Sequence, residues 1–162
     1  MPGNIFLGLG SNMGRRQDNL RQAIVYLAHR LEVVRLSSFY DTAPRDNPDQ
    51  PRFLNAACLA SADITPEALL ALLKDIERQM GRRRGPANGP RPIDMDILLY
   101  DDKIIDTSGL IIPHPRLAQR EFVLKPLCEI APDVIHPVLG QTVRQLLRQL
   151  EGTQDVVPWR RE

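Results

Sequence analysis

Apolar positions recur along the chain with two periods. Leu20, Ala23, Ile24, Leu27 and Leu31 keep the i, i+3, i+4, i+7 spacing of one helix face and predict a helix over Arg15–Arg30. Leu69, Leu72, Leu73, Ile76 and Met80 predict a second helix. Thr65 stands at its N-cap, Pro66 at its first position, Glu67 in its first turn, and Gly81 stops it. Val143, Leu146, Leu147 and Leu150 mark a last helix, capped by Thr142 and stopped by Gly152. Between the helices lie apolar runs of strand length: Asn4–Gly10, Glu32–Asp41, Phe53–Ala60 and Ile93–Tyr100. Asp101-Asp102 reads as a two-residue hairpin turn, with Lys103–Asp106 returning along the strand before it. Leu110–Ile112 is short and apolar, the segment from Val123 to Ile135 is broken by proline, and the tail 153–162 reads as loose.

The order strand, helix, strand, strand, helix, strand predicts an α+β fold. It is a ferredoxin-like βαββαβ core with a mainly antiparallel sheet, packed helices, and a C-terminal hairpin and helix. With 162 residues the chain makes one domain, 1–162. A net charge of +1 supplies no global field toward nucleic acid or an anionic membrane. No apolar run approaches the ~20 residues of a membrane span, and the N-terminus lacks the basic and apolar regions of a signal peptide. A cytoplasmic monomer is the expectation. Cys58 and Cys128 sit in apolar surroundings and read as buried thiols, not a disulfide or a metal pair.

Chemistry concentrates in Gly81–Tyr100, GRRRGPANGPRPIDMDILLY. Glycines and prolines punctuate its first half too densely for a helix or a central strand. That loop carries Arg82, Arg83, Arg84 and Arg91, and guanidinium forks onto phosphate oxygens. In the strand that follows, side chains alternate, so Asp94 and Asp96 share one face while Ile93, Met95 and Ile97 share the other. Two carboxylates roughly 6–7 Å apart at Cα suit hard cations bridged between them; the same pair also suits a plain solvent face. With few apolar anchors against like-charge repulsion, the loop is expected to move freely without ligand and to close over a bound triphosphate.

Other residues leave two readings open. Asn55, among apolar neighbours in its strand, either satisfies backbone or reads a ligand. His114, held between Pro113 and Pro115, is either a turn histidine with one backbone bond or a ligand contact. The glycines of Gly8-Leu9-Gly10-Ser11-Asn12-Met13-Gly14 match neither a dinucleotide fingerprint nor a P-loop, and are read as allowing close backbone packing.

The ordered set Gly10-Ser11-Asn12, Phe53-Leu54-Asn55-Ala56-Ala57, Gly89-Pro90-Arg91-Pro92-Ile93-Asp94-Met95-Asp96 and Pro113-His114-Pro115-Arg116, leading to Arg120 and Phe122, closely resembles the 6-hydroxymethyl-7,8-dihydropterin pyrophosphokinases of folate biosynthesis over about residues 5–137. The resemblance implies transfer of pyrophosphate from ATP to the pterin hydroxymethyl group, leaving AMP. It implies two Mg2+ ions on Asp94 and Asp96, and catalytic roles for Arg82 and Arg91. It implies ATP contacts from Lys74, Glu77, Arg84, Ile97, His114 and Arg120. A pterin pocket of Thr42, Ala43, Arg45, Phe53, Asn55 and Phe122 completes the set, Phe53 and Phe122 sandwiching the ring. The chain departs from the family where Asn88 replaces a common tryptophan, Ala43 a proline, Lys74 a glutamine and Arg45 an apolar residue. The competing class is a nucleic-acid-binding module on the same frame, but no aromatic RNA-binding run lies on a central strand.

Overall fold

The computed structural model describes residues 2–44, 49–81 and 91–160. The elements in order are β1 (Gly3–Ser11), α1 (Arg16–Ala28), β2 (Glu32–Leu36), β3 (Tyr40–Thr42), β4 (Phe53–Ala62), α2 (Pro66–Gln79), β5 (Asp94–Tyr100), β6 (Ile105–Asp106), β7 (Ile111–Ile112), α3 (Glu121–Ile130), α4 (Val143–Leu150) and β8 (Val156–Pro158). The main sheet runs β5-β1-β4-β3-β8, with β2 also on β4, and every pairing is antiparallel. This is the ferredoxin-like arrangement that the element order predicts, each βαβ unit being split by an antiparallel strand.

Helices cover both faces. Ile5, Leu7 and Leu9 of β1 pack with Leu20 and Leu27 of α1 and Leu69, Leu73 and Ile76 of α2. On the opposite face Phe6, Ala57, Leu98 and Leu99 pack with Leu124, Leu127 and Ile130 of α3 and Leu146 of α4. The two-residue period of the strands thus divides between two cores. Thr65 caps α2, its hydroxyl accepting from the Ala68 amide at 3.1 Å. Thr142 and Gln145 form a capping box on α4.

Four local expectations are corrected. The strand over Glu32–Asp41 is two strands, because the Ser37 hydroxyl accepts from the Ala57 amide at 2.9 Å where a strand carbonyl would, and the ladder breaks there. Lys103–Asp106 does not return along β5; β6 pairs with β7 instead. Asp101, at φ 48°, turns the chain away, its carboxylate accepting from the Asn4 amide at 2.8 Å. The proline-broken segment contains α3, which runs through Pro126 because its buried stripe of Leu124, Leu127 and Ile130 outweighs one missing amide. The tail expected to be loose holds β8 through residue 158, where Thr42↔Val156 and Tyr40↔Pro158 pair and the Trp159 ring lies 6.1 Å from Phe39.

The break between β2 and β3 is pinned by α3. Glu129 accepts from the Tyr40 phenol at 2.7 Å and from the Ser38 amide and hydroxyl at 2.9 and 3.0 Å. Burial, then the Glu129 carboxylate, raise the Tyr40 phenol above its ordinary value of 10.0. Burial alone pushes the Cys58 thiol up to about 12. Both groups hold their protons longer folded than unfolded. Their contribution is therefore complete below the ordinary thiol and phenol values and is lost as pH rises through the folded ones. Urea denaturation should show stability falling from pH ~9 upward. Tyr40→Phe should flatten the upper part of that slope and cost about 1 kcal/mol at neutral pH.

Candidate active site

Two hollows open at one end of the sheet and share a wall. The first, about 140 Å³, lies on the face that α3 only partly covers. Its floor follows from register. Gly8 stands between Asp96 of β5 and Ala57 of β4, and Gly10 between Asp94 and Asn55. Two glycines in the central strand leave the hollow unfilled. A Cβ at Gly10 would sit 2.7 Å from the Asn55 Oδ1 atom, so that side chain would have to shift from the wall. Thr42, Ala43, Phe53, Asn55 and Phe122 line this hollow, together with Pro44 and Gln50. The Asn55 amide donates to the Thr42 hydroxyl at 2.7 Å. The sequence leaves Asn55 open to either backbone pairing or ligand reading; its amide bonds a side-chain hydroxyl, and the side chain lies on the wall of the hollow.

The second, wider hollow of about 470 Å³ lies between α2, β5 and the 108–115 segment. Lys74, Glu77, Ile97, His114 and Arg120 line it. Glu77 is buried, and its Oε2 accepts from the Met95 amide at 2.9 Å. Since β5 is an edge strand, this bond both closes an open edge position and fixes the strand between the two aspartates. His114 is positioned through its own amide, which donates to the Leu98 carbonyl at 3.0 Å. Leu98 is the extra residue of a β5 irregularity opposite Phe6/Leu7.

Arg91, Asp94, Asp96 and Arg120 line both hollows and form the shared wall. The Arg91 Nη1 atom lies 3.4 Å from Asp94 Oδ1. Buried Asn12 holds the arginine's backbone: Oδ1 accepts from the Arg91 amide at 2.7 Å, and the Arg91 carbonyl accepts from the Asn12 amide at 3.1 Å. The Asn12 Nδ2 atom donates to Gln50 Oε1 at 2.8 Å. One buried amide thus ties the end of β1 to both Gln50 and Arg91. Arg120 precedes the first residue of α3 and lies 5.4 Å from the Phe122 ring centroid, within cation–π range.

The donor set at the wall fits a hard cation. Asp94 and Asp96 share a strand face and are half-buried. Among the described residues no group of three or more His, Cys, Asp or Glu could by itself hold a metal. Two carboxylates without a protein cage are what Mg2+ takes when waters and phosphates complete its octahedron.

All the predicted site residues within the described segments line one hollow or both. Arg45, Arg82, Arg84 and Asn88 lie outside the described residues, as does the expectation of a closing loop. Sequence reasoning assigned no role to Asn12 or Gln50. The signal available for Asn12 was a polar residue at the end of an apolar strand, beside a turn.

His114 has the backbone bond of a turn histidine, its Nδ1 accepting from the Arg116 amide at 3.2 Å, and it also lines the cleft. With Nδ1 as acceptor, the neutral ring carries its proton on Nε2 as a donor. Burial first, then Arg120, lower its pKa to about 4 from 6.5, against an opposing pull from Asp94. The folded value lies below the unfolded one, so this stabilisation is complete above the ordinary histidine value and lost as pH falls through the folded one. Stability measured between pH ~6.5 and ~4 should drop with acid, and His114→Gln should make that limb shallower.

The profile of the 7,8-dihydro-6-hydroxymethylpterin-pyrophosphokinase (HPPK) family matches residues 6–132. The chain is 40% identical over 147 residues to the Folic acid synthesis protein fol1 of Pneumocystis carinii, covering 90% of this chain but 20% of that protein. It therefore spans about a fifth of such longer relatives. It is 40% identical over 141 residues to the 2-amino-4-hydroxy-6-hydroxymethyldihydropteridine pyrophosphokinase of Aquifex aeolicus, covering 87% of this chain and 88% of that one. The fold is similar to that in the crystal structure of Plasmodium falciparum HPPK-DHPS with pteroate, at a TM-score of 0.74 and 17% identity over 92% of this chain and 42% of that one.

Proposed function

The chain belongs to the 7,8-dihydro-6-hydroxymethylpterin-pyrophosphokinase family, and from that premise we propose that it transfers pyrophosphate from ATP to the hydroxymethyl group of 6-hydroxymethyl-7,8-dihydropterin, giving the pterin diphosphate and AMP in folate biosynthesis. The observation that carries this is the shared wall: two hollows of different character meet at Arg91, Asp94, Asp96 and Arg120.

The smaller hollow suits the pterin. Phe53 and Phe122 offer ring faces for a flat heterocycle, and Asn55 and Thr42 offer polar atoms to its edge. The wider cleft suits ATP, with Lys74, Arg120 and the Nε2 proton of neutral His114 directed to phosphate oxygens and Ile97 to the base. Glu77 acts through β5, holding the strand that carries both aspartates. Asp94 and Asp96 would hold two Mg2+ ions, which when bound supply positive charge to the triphosphate and orient it.

In the transfer, the hydroxymethyl oxygen forms a bond to the β-phosphorus. The bond from that phosphorus to the oxygen bridging toward the α-phosphate breaks, its electron pair leaves with AMP, and the hydroxyl proton is released. Arg91 at the junction faces the negative charge that spreads over the transferring group. With a primary alcohol as nucleophile, alignment of the two substrates across the wall supplies much of the acceleration. By the family resemblance, Arg82 joins Arg91 in this role, Arg84 grips ATP, and Arg45 borders the pterin.

The direct test is to incubate the protein with ATP, Mg2+ and the hydroxymethyl-dihydropterin and to separate the nucleotides. AMP is expected; ADP, or no turnover, would defeat the proposal. Asp94→Ala and Asp96→Ala should fold and lose nearly all AMP release. Arg91→Ala should lower kcat by roughly 10²–10³-fold with a smaller effect on ATP affinity. Lysine should rescue poorly, because an ammonium cannot fork onto two oxygens.

A further inference from the structure

Beyond α4, Gly152 at φ 84° turns the chain back toward the site. The next residues, 154–158, lie outside the segment that the family profile matches, residues 6–132. They nevertheless touch both sides of the smaller hollow.

On one side the Gln154 side chain brackets Arg120. Its Oε1 accepts from the Glu121 amide at 2.9 Å, and its Nε2 donates to the Gln119 carbonyl at 3.0 Å. The Gln154 amide donates to Glu121 Oε1 at 3.4 Å, and Glu121 is buried. One side-chain amide thus spans the residues just before and just after Arg120, where the chain passes into α3. The Arg120 amide donates to the Leu117 carbonyl at 3.5 Å, and the Arg120 carbonyl accepts from the Val123 and Leu124 amides at 3.0 Å. Phe122 follows in the same turn.

On the other side the next residue takes over. The Asp155 carbonyl accepts from the Ala43 amide at 3.0 Å. Buried Val156 pairs with Thr42, so β8 extends the sheet alongside the residues that line the hollow. The Asp155 carboxylate takes Arg52 at 2.6 and 3.2 Å, and Arg52 reaches Asp41 at 2.9 Å. Arg120 and Phe122 on one wall and Thr42 and Ala43 on the other are therefore joined through two consecutive residues of the C-terminal segment.

Resting on the substrate assignment above, we propose that Gln154 is a positioning residue: it sets the separation between the Arg120–Phe122 wall and the Thr42–Ala43 wall, and through it the fit of the flat heterocycle. It touches no substrate. Its effect falls more on the smaller hollow, because Phe122, Thr42 and Ala43 line that hollow alone, whereas Arg120 lines both. A misplacement of about 1 Å is enough to cost a reaction one to two orders of magnitude.

The test compares the full-length wild type, Gln154→Ala and Gln154→Glu. Gln154→Ala removes both side-chain bonds, whereas Gln154→Glu keeps the acceptor for the Glu121 amide and loses the donor to the Gln119 carbonyl. Amide hydrogen exchange, without substrates, should rise in Gln154→Ala at residues 119–123 and 42–44 and not in β1 or α2. In steady-state assays KM for the hydroxymethyl-dihydropterin should rise roughly tenfold, KM for ATP should change much less, and Gln154→Glu should fall between. Unchanged exchange, or equal losses for both substrates with a general drop in the denaturation midpoint, would overturn the proposal. Should Gln154→Ala fail to fold, Gln154→Glu decides by the same measurements. If the wild type releases no AMP, the substrate assignment fails, and the exchange pattern still decides whether Gln154 holds the two walls.

Discussion

The site depends on the register of three strands. Gly8 and Gly10 of β1 must lie between Asp96 and Asp94 on one side and Ala57 and Asn55 on the other. A slip of one residue would turn the aspartates into the core that Leu69, Leu73 and Ile76 occupy, and would bring leucines into the hollow. Register is therefore enforced by burial. Ile5, Leu7, Leu9, Met95 and Ile97 find apolar surroundings on one face only. Burial of five such side chains, at about 1.5–3 kcal/mol each, outweighs any local preference of the polar residues. The polar chemistry sits where it does because the apolar residues between its members have nowhere else to go.

Charge is arranged on that frame with little excess. The net charge is +1, yet Arg91 and Arg120 stand together on the wall between the hollows, facing Asp94 and Asp96. His114 stays neutral beside them, because burial and the Arg120 charge both disfavour its protonation. It can therefore offer a hydrogen-bond donor to the cleft without adding to the repulsion among cations.

The sequence made the backbone of this arrangement legible where one period ran uninterrupted. The strands at Asn4, Phe53 and Ile93 and the helices carrying Leu20 and Leu69 formed close to their predicted limits. Alternation alone put Asp94 and Asp96 on one face and Met95 on the other. Misreadings came where a side chain stood in for backbone or where partners were far apart in sequence. Ser37 interrupts a strand with its hydroxyl, and nothing in Glu32–Asp41 announces that. Pro126 reads as a stop, but the buried stripe around it prevails. The tail lacks apolar density; its order comes from Thr42, Phe39 and Glu121, none of them near it along the chain. Asn12 and Gln154 are polar residues in turns, and such residues ordinarily face water. What sets them apart is that their amides bond to segments dozens of residues away, which a linear pattern does not contain.

The pairing of β8 on β3 also bears on how copies of this chain behave toward one another. An antiparallel sheet with bare margins offers its unpaired amides and carbonyls to any other strand in solution. Here β8 covers the margin of β3 and presents in its place three residues that include Pro158, which has no amide to offer. Along β2 the ladder is irregular between Val33 and Arg35, and Glu32 and Arg35 put charge on that flank. On the far side Glu77 has already taken the Met95 amide of β5. Among the described residues, each border of the sheet is thus short, irregular, charged or engaged. Crowded solutions of the folded chain should resist strand-by-strand accretion into fibres, and self-association of that kind would have to begin with β8 peeling from its neighbour.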